Sequence, residues 1–266
     1  MTKSDFKISI VTPSYNQKQF IAEAIESVRD QNYSNIEHLI FDNCSTDGTT
    51  DLLRTFPHLK WVSESDRGQS HALNKGFKAA TGDIIGWLNA DDRYLPGCFS
   101  KVSEFFSQNK DIDIVYGDYR LIDGAGKVIR LKRELDFDLF MLKYLHVLCI
   151  PSTTTFFRKS IFEQGNFLDE SYHYAMDYEF FLRLALKGYR FAHIKGFFAE
   201  FRWHEESKSS TATAKQMKEF STALLSHDVF LKELNPNICL SLRYILMVLA
   251  RLKRYFLKWI KGYYFS

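Results

Sequence analysis

The first part of the chain predicts an α/β fold, with a mostly parallel sheet flanked by helices. The β-branched run Lys7–Thr12 is closed by Pro13, and apolar residues at helical spacing follow, which is the pattern of a strand, a loop and a helix. Repeated units of this kind, joined by right-handed crossovers, build one parallel sheet. The segments that continue the alternation are Glu37–Phe41, Asp47–Phe56, Lys60–Val62, His71–Ala80, Ile84–Leu88 and Phe99–Phe106.

The second part of the chain has a mixed pattern that begins with a predicted strand at Ile112–Tyr119. It divides the chain into three expected regions, residues 1–115, 116–205 and 206–266. The elements predicted after that strand are a hairpin turn at Asp123-Gly124, a helix over Asp177–Leu186, a strand over Phe191–Ile194 and helices from about Ala212 onward.

Composition and charge narrow the class of protein. Of the 266 residues, 45% are hydrophobic and 25% are charged, as in soluble globular proteins. The four cysteines lack the spacing of a disulfide framework or a zinc site, and no apolar stretch follows Met1, so we expect a cytoplasmic protein without a secretory signal. Residues 240–266 hold six basic residues and no acidic ones, whereas the net charge of the whole chain is only +3. The excess positive charge therefore lies in the tail, which argues against a nucleic-acid groove in the body.

Polar clusters follow three of the predicted strands: TPSYN, DNCSTDG and NADD. Ligands of open α/β sheets bind at the carboxyl ends of strands. Asp91 and Asp92 end the apolar run IIGWL, and two carboxylates in this place suit Mg²⁺ or Mn²⁺ bound together with diphosphate oxygens. A helix cap or a solvated turn is the alternative for an isolated pair of aspartates.

Other residues are expected at the same edge of the sheet. Tyr15, which follows Thr12 in the first loop, can stack on a base, and Asp42 can accept hydrogen bonds from a base or a ribose. Arg67, in the loop SDRGQSHALNKG, can approach a phosphate. Each indication is weak alone, because a strand-end aspartate is often only a cap, but together they predict a nucleotide site.

Five segments resemble the family 2 glycosyltransferases in order and spacing: TPSYN, FDNCSTDGT, DRGQSHALNKGF, WLNADD and AMDYEFFLRLA. The resemblance covers roughly residues 7–205 and implies the GT-A fold. It further implies transfer of a hexosyl or N-acetylhexosaminyl group, with inversion, from a nucleotide diphosphate donor, usually a UDP-sugar, to a hydroxyl. Residues 1–115 would then bind the nucleotide sugar, and residues 116–205 the acceptor.

The resemblance also assigns roles to residues. It makes Asp92 the main ligand of Mn²⁺ or Mg²⁺, because Asn89 stands where relatives often carry an acid. His204 becomes a second metal ligand or a diphosphate contact, with a plain surface-loop histidine as the alternative. The nucleotide and donor contacts fall on Thr12, Pro13, Tyr15, Asp42, Arg67, Gln69, Asn74 and Asp91.

The catalytic base is expected at Asp177, by the same resemblance. A carboxylate in hydrogen-bond reach of the acceptor hydroxyl contributes ~10²–10⁴-fold to the rate, and direct attack needs no covalent nucleophile. Glu179 is a rival base, since Met176 stands where many relatives carry an acid and the register of the helix is open. We expect Arg183 to pair with Glu179 at the i,i+4 spacing.

The tail predicts an amphipathic helix. Apolar residues recur at three- and four-residue steps between Leu242 and Lys261, and Arg251, Arg254 and Lys258 follow the same rhythm. Its apolar run is shorter than the ~20 residues that span a bilayer, so we expect the helix to lie on the inner face of the cell membrane against anionic headgroups. Packing on the body or on a second subunit is the alternative.

This membrane association suggests a lipid-linked saccharide acceptor in the synthesis of a cell-surface polysaccharide or lipopolysaccharide. Two other functions stay open. A sugar-phosphate nucleotidyltransferase would also use a metal and a βα nucleotide site, although the first loop has none of the glycines that such enzymes place there. A catalytically silent nucleotide-sugar-binding scaffold would keep the fold without turnover.

Overall fold

The computed structural model of the protein describes residues 6–145, 149–204 and 213–264, and the strands of these segments form one nine-stranded sheet. The sheet order is β3-β2-β1-β4-β8-β6-β9-β5, and β7 pairs with β6 off this path. The strands are β1 (Ile8–Ser14), β2 (Ile36–Asp42), β3 (Lys60–Ser63), β4 (Ile84–Trp87), β5 (Arg93–Tyr94), β6 (Ile114–Ile122), β7 (Val128–Lys132), β8 (Phe156–Arg158) and β9 (Phe191–Arg202).

Helices flank the sheet and then form a C-terminal group. The last and longest begins at the capping residue Asn235, with Pro236 in its first turn. In chain order the helices are α1 (Ile21–Arg29), α2 (Thr49–Leu53), α3 (Gln69–Ala79), α4 (Cys98–Gln108), α5 (Leu139–Tyr144), α6 (Ser160–Glu163), α7 (Met176–Leu186), α8 (Thr213–His227), α9 (Val229–Glu233) and α10 (Pro236–Ile260).

The first four strands along the sheet, β3-β2-β1-β4, are parallel, which confirms the predicted α/β fold. Every residue of β1 is buried, as in a parallel strand that is covered on both faces. Helices α1 and α4 cover one face, where Ala24 and Phe99 join the core around Ile10. Helices α3 and α7 cover the other, where Phe77 and Phe180 join the second core.

The second half of the sheet is mixed. β8 runs antiparallel to β4 and β6, while β6 and β9 are parallel. The predicted turn at Asp123-Gly124 is confirmed, because it joins β6 and β7 as a hairpin. β6 crosses the expected boundary between residues 115 and 116, whereas the boundary between 205 and 206 lies outside the described residues.

β9 is much longer than the predicted strand Phe191–Ile194, because it continues to Arg202. Its pairing with β6 shifts register near Gly117, where β9 has extra residues, including Gly196 at a φ of 138°. A bulge of this kind bends a strand and lets it continue with a new set of partners. The extension carries the end of β9 to the loop that follows β4.

The basic stripe of α10 faces the body of the protein. Arg254 and Lys258 pair with the buried carboxylate of Glu134, and Lys261 pairs with Asp136. The sequence analysis had assigned these cations to lipid headgroups. The acidic segment after β7 takes them instead, since the pairs hold α10 against α5.

The apolar stripe of α10 faces outward. Its large side chains are about half to two thirds exposed, and they include Leu240, Ile245, Leu252, Phe256 and Trp259. Within the described residues, no helix is long and apolar enough to cross a membrane.

A close approach of α3 to β1 explains one glycine of the third motif. A Cβ atom at Gly76 would lie 2.1 Å from Cγ1 of Val11, whose side chain belongs to the core under α3. Any larger residue at this position forces the helix away from the strand. This spacing matters for the ligand site because α3 begins at its edge.

We expect Gly76→Ala to lower the free energy of unfolding by about 1–3 kcal/mol, because overpacking outweighs the ~1 kcal/mol gain in helix propensity. Urea denaturation followed by circular dichroism measures the change. The control is Val11→Ala with Gly76→Ala, in which the clashing methyl groups are gone. The double variant should lose less stability than the sum of the two single variants, and strict additivity would contradict the proposed clash.

Candidate active site

A cavity of about 1050 Å³ opens beside the carboxyl ends of β1 and β4. We call it the central cavity. Loops after these strands form one wall, strands β6, β7 and β9 form a second, and helices α7, α8 and α10 contribute to the rest. Its volume is at the upper end of the ~300–1000 Å³ usual for ligand sites, so it has room for more than one substrate.

Asp91 and His204 meet on the wall of the central cavity. His204 Nε2 lies 3.1 Å from Asp91 Oδ2. The imidazole is held from behind by the ring of Phe20, at 5.0 Å between ring centroids. A carboxylate and an imidazole therefore face the same space, although 113 residues separate them in the sequence.

Asp92 differs from Asp91 in its surroundings. It is buried, and it does not line the cavity. Its Oδ2 accepts hydrogen bonds from Thr153 Oγ1 at 2.6 Å and from Asn89 Nδ2 at 3.0 Å, and its Oδ1 accepts one from the backbone N–H of Arg202 at 2.9 Å. Burial and the neighbouring Asp91 raise the pKa of Asp92 to about 8. Asp91 therefore lies at the cavity surface, whereas the sequence analysis expects Asp92 to be the main metal ligand.

Arg202 fastens β9 to the loop after β4. Its Nε donates to the backbone carbonyl of Asp91 at 2.9 Å, and its Nη2 donates to Glu23 Oε2 at 2.7 Å. The side chain is buried, and its guanidinium lies over the ring of Phe20 at 4.7 Å. These contacts set the position of His204, two residues further along. No sequence pattern predicts this role, because the partners are far apart in the chain.

The first loop contributes directly to the cavity. Pro13 and Tyr15 line it, and Tyr15 is largely exposed, as a ring that stacks on a ligand must be. Asn16, at a φ of 51°, donates its N–H to Ser45 Oγ at 2.7 Å and so ties this loop to the one after β2.

Thr12 and Asp42, both expected as nucleotide contacts, lie behind the cavity wall. Thr12 is fully buried, with its Oγ1 2.9 Å from Nε2 of His38. Asp42 is buried as well, and its carboxylate accepts hydrogen bonds from Ser45 and Ser63. Both residues shape the loops that follow β1 and β2, which is the capping role that the sequence analysis had named for a strand-end aspartate.

The expected ligand contacts in and after the loop before α3 also fall into two groups, because one lines the cavity and two do not. Gln69 lines the cavity, and its Nε2 donates to Asn89 Oδ1 at 3.0 Å. Arg67, expected near a phosphate, is paired with Glu170 at 2.6 Å. Asn74 exchanges two hydrogen bonds of 2.9 Å with the backbone of Leu168 and is buried. Neither Arg67 nor Asn74 is among the lining residues.

Asp177 lines the cavity from the first turn of α7, where a negative charge is favoured by the helix dipole. Its rival, Glu179, is buried elsewhere. Glu179 is 2.7 Å from Arg183 and 2.9 Å from His227, so the predicted i,i+4 pair with Arg183 is confirmed. Of these two acids, Asp177 is the one that lines the cavity, and its position favours contact with a ligand.

Glu219 of α8 holds the segment that leads into α7. Its Oε2 accepts the backbone N–H groups of Tyr174 at 2.7 Å and Ala175 at 2.8 Å, and it reaches His173 at 3.1 Å. The sequence analysis missed this residue, since an acid on an amphipathic helix carries no sign of a distant partner. The region after residue 205 therefore takes part in the site as well as in the tail.

A family model described as "Glycosyl transferase family 2" matches residues 9–165, which is more than half of the chain. The chain belongs to this family. The matched residues include the loops after β1, β2 and β4 and the start of α3, so the family match covers the wall that carries Asp91. The expected family and the expected fold are both confirmed.

Relatives extend this likeness. An uncharacterized glycosyltransferase of Rickettsia typhi is 31% identical over 86% of this chain and 73% of its own length. The putative teichuronic acid biosynthesis glycosyltransferase TuaG of Bacillus subtilis is 30% identical over 49% of this chain and 55% of its own. The chain spans about half to three quarters of the length of the first curated relatives that it matches.

Solved structures share the fold of this chain. The crystal structure of residues 1–349 of TarS from S. aureus in complex with UDP-GlcNAc superposes with a TM-score of 0.68, at 17% identity, over 83% of this chain and 66% of that one. The chain therefore has the GT-A fold that its sequence motifs imply.

We expect Glu219→Ala to lower the free energy of unfolding by about 1.5–3 kcal/mol, because it removes a charged acceptor from three backbone N–H groups. Urea denaturation measures this loss. Glu233→Ala removes an exposed carboxylate from α9 and serves as the control, with an expected change within ~0.5 kcal/mol. Equal effects of the two substitutions would show that the bonds from Glu219 do not anchor the segment before α7.

Proposed function

We propose that the glycosyltransferase moves a sugar, with inversion, from a nucleoside diphosphate donor to a hydroxyl of a saccharide or lipid-linked saccharide. The observation that carries this proposal is that Asp91, His204 and Asp177 line one cavity together with the loop after β1. A UDP-sugar is the donor that we favour, in keeping with the UDP-GlcNAc bound to the structural relative TarS. The relationship to TuaG favours a role in cell-surface polysaccharide synthesis.

The pair Asp91 and His204 fits the divalent cation that the family implies. Carboxylates suit Mg²⁺ and Mn²⁺, and an imidazole nitrogen shifts the preference towards Mn²⁺. No group of three or more acidic, histidine or cysteine side chains suited to a metal occurs in the described part of the chain. Oxygens of the donor diphosphate and water would supply further ligands, as is usual for such ions. When bound, the cation supplies Lewis-acid stabilisation of the leaving diphosphate.

The revised metal assignment follows from burial. Asp92, expected as the main ligand, has its carboxylate engaged with Thr153, Asn89 and the backbone of Arg202. It supports the loop that carries Asp91. We assign the ligand role to Asp91 and the supporting role to Asp92.

Asp177 is the base in this proposal. Asp177 lines the cavity, whereas the carboxylate of Glu179 lies in a buried ion pair with Arg183. Asp177 takes the proton from the acceptor hydroxyl as that oxygen attacks the anomeric carbon, and the nucleoside diphosphate leaves from the opposite face of the sugar. One displacement inverts the configuration, and no covalent link to the protein is formed.

The exposed apolar stripe of α10 is the surface through which we propose that the glycosyltransferase binds the cytoplasmic face of the membrane. The stripe presents aromatic as well as aliphatic side chains, Phe256 and Trp259 among them, which is the composition of helices that lie in a lipid interface. Because Arg254, Lys258 and Lys261 are paired with the body, insertion of apolar side chains, rather than attraction to anionic lipid, drives this binding.

Two other functions give different products. A sugar-phosphate nucleotidyltransferase releases pyrophosphate from a nucleoside triphosphate, while the proposed reaction releases a nucleoside diphosphate from a sugar donor. A silent scaffold binds the donor and releases neither. The position of Asp177 on the cavity wall favours turnover over binding alone.

We expect Asp91→Asn and His204→Ala to weaken Mn²⁺-dependent binding of UDP at least tenfold, because each removes a metal ligand. Asp177→Asn should leave this binding intact and lower transfer by ~10²–10⁴-fold, because it removes only the base. Calorimetry with UDP, GDP, CDP and dTDP, with and without Mn²⁺, measures binding, and release of nucleoside diphosphate from sugar donors measures turnover.

Glu179→Gln is the matched control for the base, with circular dichroism to check its fold. If Glu179→Gln abolishes transfer in a folded protein while Asp177→Asn does not, the base assignment is reversed. If no nucleotide binds under any condition, the proposed donor chemistry fails.

We expect the full chain to float with phosphatidylcholine vesicles, and Phe256→Glu or Trp259→Glu to weaken flotation at least tenfold, because a buried side chain contributes about 1.5–3 kcal/mol. Lys232→Gln on α9 changes the net charge by the same amount as Phe256→Glu and should have no effect. Flotation that requires anionic lipid would show an electrostatic mode instead. Self-association in sedimentation, lost in the same variants without vesicles, would assign the stripe to a second copy.

A further inference from the structure

Among the described cations of the tail, Arg251 and Arg243 have no carboxylate partner, and Arg243 donates a hydrogen bond to Ser221 Oγ at 2.7 Å. Lys253 pairs with Asp138, Arg254 and Lys258 pair with Glu134, and Lys261 pairs with Asp136. Arg251, which lies nearly one helical turn before Arg254, instead lines the central cavity. Within the segments that the structure describes, its guanidinium has no carboxylate partner.

A second cation, Lys132, also lines the central cavity. It is the last residue of β7 and lines the cavity beside Tyr119 and Leu121 of β6. Burial lowers the pKa of Lys132, and the charges of Arg130 and Arg254 add to this effect while Glu134 opposes it. Lys132 also lacks an ion-pair partner among the residues described. Lys132 is half-buried and Arg251 is exposed, and two cations that line one cavity without a carboxylate partner among the described residues are suited to bind an anion.

The sheet order separates these cations from the nucleotide loops. β1, whose loop carries Tyr15, is three strands away from β6 along the path β1-β4-β8-β6. At about 4.8 Å between neighbouring strands, the separation is roughly 14 Å. Asp91 follows β4, between the two ends. The donor therefore occupies the side of β1, and Lys132 with Arg251 lies on the acceptor side.

Aromatic side chains line the cavity on this side. Tyr119 and Phe201 face it with their rings 6.1 Å apart, and Trp203, which is 42% exposed, lies beside them. Aromatic faces pack against the apolar faces of sugar rings, while Lys132 and Arg251 attract an anionic group. The combination matches a saccharide that carries a charge.

From this arrangement we propose that Lys132 and Arg251 form an anion subsite for the acceptor, so that the glycosyltransferase selects acceptors bearing a phosphate or carboxylate group. The inference rests on the proposed transfer to a saccharide acceptor, and it adds the chemical class of that acceptor. Arg251 belongs to the helix whose outer face is apolar. A phosphate that joins a saccharide to a lipid thus reaches the subsite from the side on which α10 meets a membrane.

The test uses the full chain, saturated with Mn²⁺ and with whichever nucleoside diphosphate binds, so that the donor site is closed to other phosphates. The probes are geranyl diphosphate, octanoate and uncharged geraniol, titrated by calorimetry. We expect geranyl diphosphate to bind and geraniol not to bind. Lys132→Gln and Arg251→Gln should each weaken the binding about tenfold or more, as expected for the loss of a charge-assisted hydrogen bond. Arg130→Gln removes a cation from the same strand, outside the cavity, and should have no effect.

Each outcome has one meaning. Binding of geranyl diphosphate alone identifies a phosphate acceptor, and equal binding of octanoate extends the subsite to carboxylates. If the nucleotide binds but neither anion does, or if Arg130→Gln has the same effect as the other two variants, the subsite is refuted while the proposed function stands. Weaker nucleotide binding in Lys132→Gln and Arg251→Gln would move both cations to the donor. Failure of every nucleotide to bind would refute the proposed function itself.

Discussion

The buried carboxylate of Asp92 is shared by three parts of the chain that are distant in sequence. Thr153 precedes β8, Arg202 ends β9, and Asn89 belongs to the loop after β4. A buried carboxyl group that loses a hydrogen-bond partner costs about 1–3 kcal/mol, so the fold is more stable when these donors stay together. The same contacts bring Asp91 and His204 to one wall of the cavity. The hydrogen bonds that Asp92 accepts therefore also position these two residues.

The C-terminal helices α8 and α10 contribute side chains to the wall of the central cavity. Glu134 and Asp136 attract the basic stripe of α10, and this docking brings Arg251 to the cavity. Glu219 of α8 anchors the segment before α7, which carries Asp177. Residues beyond the end of the family match thus line the cavity together with matched residues such as Tyr119 and Lys132.

Local patterns predicted the fold well, because they depend on neighbours in the sequence. The run Lys7–Thr12 and the turn at Asp123-Gly124 are examples. The length of β9 was missed, since a bulge at Gly196 depends on pairing with a distant strand. In the site, the segment containing Asp91 and Asp92 was found from its position after a strand. The sequence did not reveal that Asp91 lines the cavity while Asp92 is buried, because burial by Thr153 and Arg202 is a tertiary property.

The position of Arg251 on α10 has a thermodynamic consequence. One rigid helix offers an apolar face to the outside and a guanidinium to the cavity. An interaction that stabilises the docked position of α10 therefore fixes both its apolar outer face and the guanidinium of Arg251. If a ligand in the cavity increases the affinity of α10 for a lipid surface, then the lipid surface increases the affinity of the protein for that ligand by the same factor. Under the proposed function, this linkage concentrates the ligand-bound protein at the lipid surface without any change of fold.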